Sequence, residues 1–150
     1  MEKIKEITLL LITGVILTSF IYQNEEKTYS LTVSVSGLLN SNGVVQFSLY
    51  NKDGSIPDEH YRNYYKQLKS KIISNTSNTT FQNLPPGIYA VNILHDENED
   101  GKIDKGFILP AEGIGFSNLE SINPLNRPNF KKTKFELNTN KTILVKMIYL

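Results

Sequence analysis

The 150-residue chain has no cysteine, no tryptophan and only two histidines. Without cysteine there is no disulfide framework, no thiolate zinc site and no cysteine nucleophile. The acylated cysteine on which a bacterial lipoprotein anchor depends is missing as well. Two histidines, His60 and His95, leave little nitrogen for zinc, which commonly takes three or four N, S or O ligands. No charge of one sign dominates, since 16 basic and 15 acidic residues leave a net charge of +1. A dedicated nucleic-acid binder carries a clear basic excess, so nucleic acid is not an expected partner. Apolar runs are short everywhere but at the start. Ile7 to Tyr22, ITLLLITGVILTSFIY, is uncharged and follows a segment bearing Lys3 and Lys5. That pattern reads as a secretory signal peptide over residues 1–22, or as an N-terminal anchor if uncleaved. The run falls short of the about 20 apolar residues of a membrane span, so any membrane contact would be through this segment alone. The expected address is the periplasm, the cell envelope or the medium.

Residues 23–150 form the expected folded domain. Leu31, Val33 and Val35 alternate with Thr32, Ser34 and Ser36, which is the period of a half-buried strand. The turn-forming NSNG at 40–43 leads to a second alternating run with Val45, Phe47 and Leu49 inward and Gln46 and Ser48 outward, so the two read as a hairpin. The period then changes. Ser55 and Asp58 have capping-box spacing, Pro57 suits a first turn, and Tyr61, Tyr64, Tyr65 and Leu68 recur at helical intervals. These predict a short helical insertion over about 56–69. Strands are expected again at 71–74 and 79–82. LPPG at 84–87 is a sharp turn that launches GIYAVNILHD, with Tyr89, Val91 and Ile93 on one face. A long Gly- and Pro-punctuated stretch over 105–128 has no clear period, and loops of that length are usually functional or partly disordered. Two last strands are expected at 130–137 and 141–149. The predicted core is Leu31, Val33, Val35, Val45, Phe47, Leu49, Tyr89, Val91, Ile93, Phe135 and Leu137. The fold class is all-β, a sandwich of seven or eight strands.

The chemistry concentrates in HDENEDGKIDKG, His95 to Gly106, where five acidic side chains, an Asn and two glycines crowd into twelve residues. Calcium takes six to eight hard oxygen ligands, which a short loop supplies when oxygen-bearing side chains recur at alternate positions around a Gly. Asp96, Asn98 and Asp100 alternate, Gly101 follows, and Asp104 stands at the ninth place, as in the first half of an EF-hand loop. Lys102 would give its backbone carbonyl. The twelfth place holds Phe107, not the bidentate Glu, so the shell must be completed from elsewhere, and Glu112 is the nearest candidate. The competing reading is a solvated acidic turn, because Asp, Asn and Gly form turns for backbone reasons alone. His95 keeps the parity of Tyr89, Val91 and Ile93 and is expected to point coreward as a hydrogen-bonded structural residue. Gly113-x-Gly115 and Gly115-Phe116-Ser117 are fragments of nucleotide-loop and nucleophile-elbow patterns and carry little. Lys131, Lys132 and Lys134 read as a solvated strand edge.

Three motifs carry a family resemblance: FQNLPPGIYAV (Phe81 to Val91), HDENEDGKID (His95 to Asp104) and PAEGIGFSN (Pro110 to Asn118), with Pro128, Phe130 and Phe135 closing the pattern. In these the chain resembles DUF2141, a family of exported bacterial proteins of unknown function, over most of residues 29–149. The F-x-x-L-P-P-G-x-Y turn is also similar to prealbumin-like modules such as the CnaB and carboxypeptidase-regulatory domains. The resemblance implies a prealbumin-like or Ig-like sandwich and assigns no activity. The leading expectation is an exported, non-catalytic module that binds Ca2+ through Asp96, Asn98, Asp100, Lys102, Asp104 and Glu112. Its 105–128 loop, with Phe107, Phe116 and Arg127, would face an envelope protein or glycan. A metal-assisted hydrolase using His95, Asp96 and Glu112 is the alternative, and a metal-free structural accessory domain of the envelope is a second.

Overall fold

The computed structural model describes residues 26–104 and 112–150; the segment 1–22 and Phe107 lie outside them. The described chain runs β1 (Tyr29–Ser36), β2 (Val44–Tyr50), β3 (Lys66–Lys71), β4 (Ser77–Leu84), β5 (Gly87–Asp96), β6 (Ile114–Phe116), α1 (Phe130–Thr133), β7 (Phe135–Leu137) and β8 (Lys141–Lys146). Two sheets result, one ordered β4-β1-β8 and the other β3-β2-β5-β6, with β7 sharing the β6 edge of β5. The only parallel pair among them is β1 with β8. No helix among the described residues is long and apolar enough to cross a membrane.

The sheets pack face to face as a β-sandwich. Leu31, Val33 and Val35 of β1, Phe81 and Leu84 of β4, and Val145 of β8 meet Val45, Phe47, Leu49, Tyr89, Val91 and Ile93 from the opposing sheet. Each such side chain contributes about 1.5–3 kcal/mol when fully buried. The predicted core is thus the observed one, with Phe135 packed at its margin and only partly buried.

A second apolar cluster covers the outer face of the larger sheet. Tyr50, Ala90, Leu94, Ile114 and Phe116 pack there against Ile56, Tyr61, Leu119 and Phe130 from the connecting segments. Gln46 and Ser48, expected to face water, are buried beneath this cover.

The helical insertion expected over 56–69 is corrected. Residues 56–65 form turns and β3 takes 66–71. Tyr61 adopts a left-handed φ of 47°, which no α-helix tolerates, and its N–H bonds the Asp58 carbonyl. The Asp58 carboxylate instead accepts from the backbone N–H and side-chain amide of Asn63. The tyrosines do not share a face, since Tyr61 is buried while Tyr64 and Tyr65 are exposed. From Tyr65 onward the backbone bonds the free edge of β2. The strand expected at 130–137 is divided as well. Asn129 caps a single helical turn by accepting the N–H of Lys132, and only 135–137 joins the sheet.

Candidate metal centre

The acidic loop leaves the end of β5, and strand parity decides what each residue there does. Successive side chains on a strand point to opposite faces. His95 therefore turns into the sandwich and Asp96 turns to the outer face, and both are wholly buried. The His95 ring lies between the Asn42 carbonyl oxygen, 3.0 Å from Nε2, and the Tyr149 hydroxyl, 2.8 Å from Nδ1. A carbonyl only accepts, so Nε2 carries a proton toward Asn42, and Nδ1 pairs with the Tyr149 hydroxyl. His95 is the structural histidine its parity predicts, tying β5 to the β1–β2 turn and to the C-terminal segment. Gly43 makes that turn possible. It has a φ of 62°, and a Cβ there would stand 2.0 Å from the Asp96 carbonyl oxygen.

On the other face, the Asp96 carboxylate organises the loop. Its Oδ2 accepts from the Gly101 N–H at 3.0 Å and from Lys69 Nζ at 2.8 Å. Its Oδ1 is buried and has no hydrogen-bond partner. The next alternate residues fold the loop by local side-chain-to-backbone bonds. Asn98 Oδ1 accepts the Asp100 N–H at 3.0 Å, and Asp100 Oδ1 accepts the Lys102 N–H at 2.8 Å. Asn98 also donates its amide to Asp104 Oδ2 at 2.9 Å. Glu99 and Gly101 take left-handed φ values of 63° and 77°, which curl the chain.

Glu112 closes the arrangement from a distance in sequence. Its Oε1 accepts the Glu97 N–H at 2.9 Å and its Oε2 accepts the Asp104 N–H at 3.0 Å. One carboxylate therefore clamps both ends of the loop. Burial raises the Glu112 pKa above the ordinary glutamate value. The two backbone N–H groups pull it back, and the nearby carboxylates of Asp104 and Asp96 push it up again.

Asp96, Asn98, Asp100, Lys102, Asp104 and Glu112 are thus brought to one loop. Their carboxylates are not gathered on one centre, however. Among the described residues no three acidic or imidazole groups converge to hold an ion. The donor set, of oxygens only and including the buried, unpartnered Asp96 Oδ1, suits a hard cation in kind. A full shell would draw also on the Asn98 amide oxygen, loop carbonyls and water. His95, Asp96 and Glu112 are not brought to a common point by their side chains, because the imidazole faces the opposite side of the sheet.

Two residues escaped the reading of the sequence. Lys69 of β3 stands opposite Gln46 of β2, and Gln46 lies opposite Leu94, two residues from Asp96 on β5. Lys69 forms an ion pair with Asp96, and Gln46 lies buried beneath Gly101 with its amide nitrogen unpartnered among the described residues. No local motif marks either, because strand pairing alone brings them there. Of the residues expected to face a partner, Arg127 is exposed, whereas Phe116 is buried in the outer-face cluster.

A family model described as "Uncharacterized protein conserved in bacteria (DUF2141)" matches residues 33–144. The chain belongs to the DUF2141 family. The match runs from the second half of β1 through most of β8 and takes in the whole of the described loop, so the site lies inside what makes this chain a DUF2141 protein. No curated protein and no solved structure matches it.

Proposed function

We propose that this DUF2141 protein is an exported, non-catalytic β-sandwich module whose 96–104 loop binds Ca2+. The observation that carries the reading is the Asp96 carboxylate, wholly buried yet with Oδ1 unpartnered. Buried carboxylates are costly unless charge and hydrogen bonds compensate both oxygens. A hard cation beside Oδ1 would supply that compensation. The bonds from Asn98 and Asp100 to the following N–H groups already curl the loop, so binding pays less to order it. Export rests on the basic start and uncharged run of residues 1–22. The stretch after the loop would meet an envelope protein or glycan, and there Leu125 is 95 % exposed beside the exposed Arg127.

Differential scanning calorimetry in EDTA and in about 1 mM CaCl2 tests the reading. Extracellular calcium modules bind at about 10⁻⁴–10⁻³ M, which adds about 0.4–1.4 kcal/mol at that concentration. A melting temperature raised by calcium and unmoved by the same ionic strength of NaCl is the expected result. Identical melting in both buffers would leave a metal-free accessory domain in its place.

A further inference from the structure

We infer that Lys69 is a tethered ammonium on Oδ2 of the Asp96 carboxylate whose charge competes with a divalent ion at Oδ1. The inference rests on the calcium reading above and adds how that site is tuned. Lys69 Nζ lies 2.8 Å from Asp96 Oδ2, and the two side chains differ sharply in exposure, 41 % for the lysine and 0 % for the aspartate. The carboxylate cannot leave, whereas the ammonium can swing into water without disturbing any backbone bond of β3. Lys69 also packs against the loop itself. A Cβ added to Gly101 would meet Lys69 Nζ and the Gln46 side-chain oxygen, each at 3.7 Å, so the glycine turn sits over both.

An ammonium and a divalent ion on the two oxygens of one carboxylate repel each other, though solvent around the half-exposed lysine screens part of the effect. Holding both at once is therefore unfavourable. Because the lysine is part of the chain, it competes at a fixed and high effective concentration, with no cost of association. Its presence weakens calcium binding and raises the concentration at which the loop fills. It also supplies the charge that keeps buried Asp96 tolerable when calcium is scarce. Lys69 is on this account a residue that sets affinity and is not itself a ligand.

The test is a calorimetric CaCl2 titration at fixed ionic strength of the full chain and of Lys69→Met, which keeps most of the apolar stem. The substitution should tighten calcium binding about two- to fivefold, the range set by a partly exposed ion pair. Lys69→Arg, which keeps the charge, should bind no more tightly than the unaltered chain. A lysine needed only to hold the loop would give the opposite sign, with Lys69→Met binding more weakly. Equal or weaker binding by Lys69→Met, with the unaltered chain still binding, overturns the inference and leaves the calcium reading intact. Binding by Lys69→Met alone supports the inference and overturns the calcium reading for the natural chain. Binding by neither overturns both. If Lys69→Met does not fold, the Lys69 side-chain carbon resonances of the unaltered chain decide. They should move toward the values of solvated lysines as CaCl2 saturates, and saturation without such movement overturns the inference.

Discussion

On β2 and β5 alternate residues look into two different interiors. Toward the smaller sheet stand Val45, Phe47, Leu49, Val91 and Ile93, apolar and fully buried, with His95 at the end of β5 the polar member of the row and both its ring nitrogens partnered. Away from it the apolar Ala90 and Leu94 are interspersed with Gln46, Ser48, Tyr50, Asn92 and Asp96, as deeply buried but polar. Of the four buried side-chain atoms left without a partner among the described residues, Gln46 Nε2, Asn92 Oδ1 and Asp96 Oδ1 come from this outer row, and the fourth, the Tyr61 hydroxyl, comes from the cover over it. The inner face is a solved packing problem. The outer face carries unmet hydrogen-bonding and charge, which costs stability and is retained where a fold needs chemistry. Depth of burial is the same on the two sides, so burial alone does not separate core from site. Satisfaction of polar atoms does.

The sharpest way to break the comparison is to injure the inner face. Phe47→Ala should cost about 3–5 kcal/mol in urea unfolding, the range for emptying a large aromatic from a packed core. A smaller loss would mean the inner face is looser than its burial indicates. Next in size is the best satisfied group on the outer side. Asp58 accepts from the Tyr50 hydroxyl, the Asn63 N–H and the Asn63 amide. Asp58→Ala should cost about 2–3 kcal/mol by stranding those donors, measured the same way. One residue from Phe47, the outcome should be nearly opposite. Gln46→Leu removes an unpartnered amide at similar volume and should change stability by less than about 1 kcal/mol, toward stabilisation. A loss as large as that of Phe47→Ala would show that Gln46 is satisfied in solution and would weaken the contrast.

The smallest effect is one of pH. Burial raises Glu112 in the folded protein above its unfolded value of 4.5. The folded state therefore binds this proton more tightly than the unfolded chain does. The Glu112 contribution to stability is full below the unfolded value and is lost as pH rises through the raised folded value. A carbon-detected titration of Glu112 should give a midpoint above 4.5 without calcium and a lower one with it, since a nearby cation favours the charged form. A midpoint that calcium leaves unmoved would place the ion away from Glu112.

What could be seen in the sequence divides along the same line. The inner face was legible because a strand's period of two writes it directly, from Leu31, Val33 and Val35 to Val91 and Ile93. The local part of the candidate site was legible for a related reason. Side-chain bonds from Asn98 and Asp100 reach only two residues along the chain, so spacing records them. Gln46, Ser48 and Asn92 were read as solvent-facing, or not at all, because no local pattern shows that residues 51–65 and 117–130 fold back over them. Lys69 was lost inside a helical reading of 56–69, where the tyrosine spacing imitated a period that the left-handed Tyr61 breaks. β6 was missed because its three residues follow Gly113 and include Gly115, and a strand that short carries no period of its own. Glu112 was found by proximity alone, and its clamp on Glu97 and Asp104 follows from the pairing of β6 with β5.

The most direct measurement is a series of amide nitrogen–proton correlation spectra of chelator-stripped protein during addition of CaCl2. Binding by the loop should move the amides of Glu97, Asp100, Gly101, Lys102 and Asp104 along saturable curves with a midpoint of about 10⁻⁴–10⁻³ M, and Asp96→Asn should abolish the response. Spectra that stay unchanged to about 10 mM, or that drift only as they do with NaCl, would contradict calcium binding at this loop.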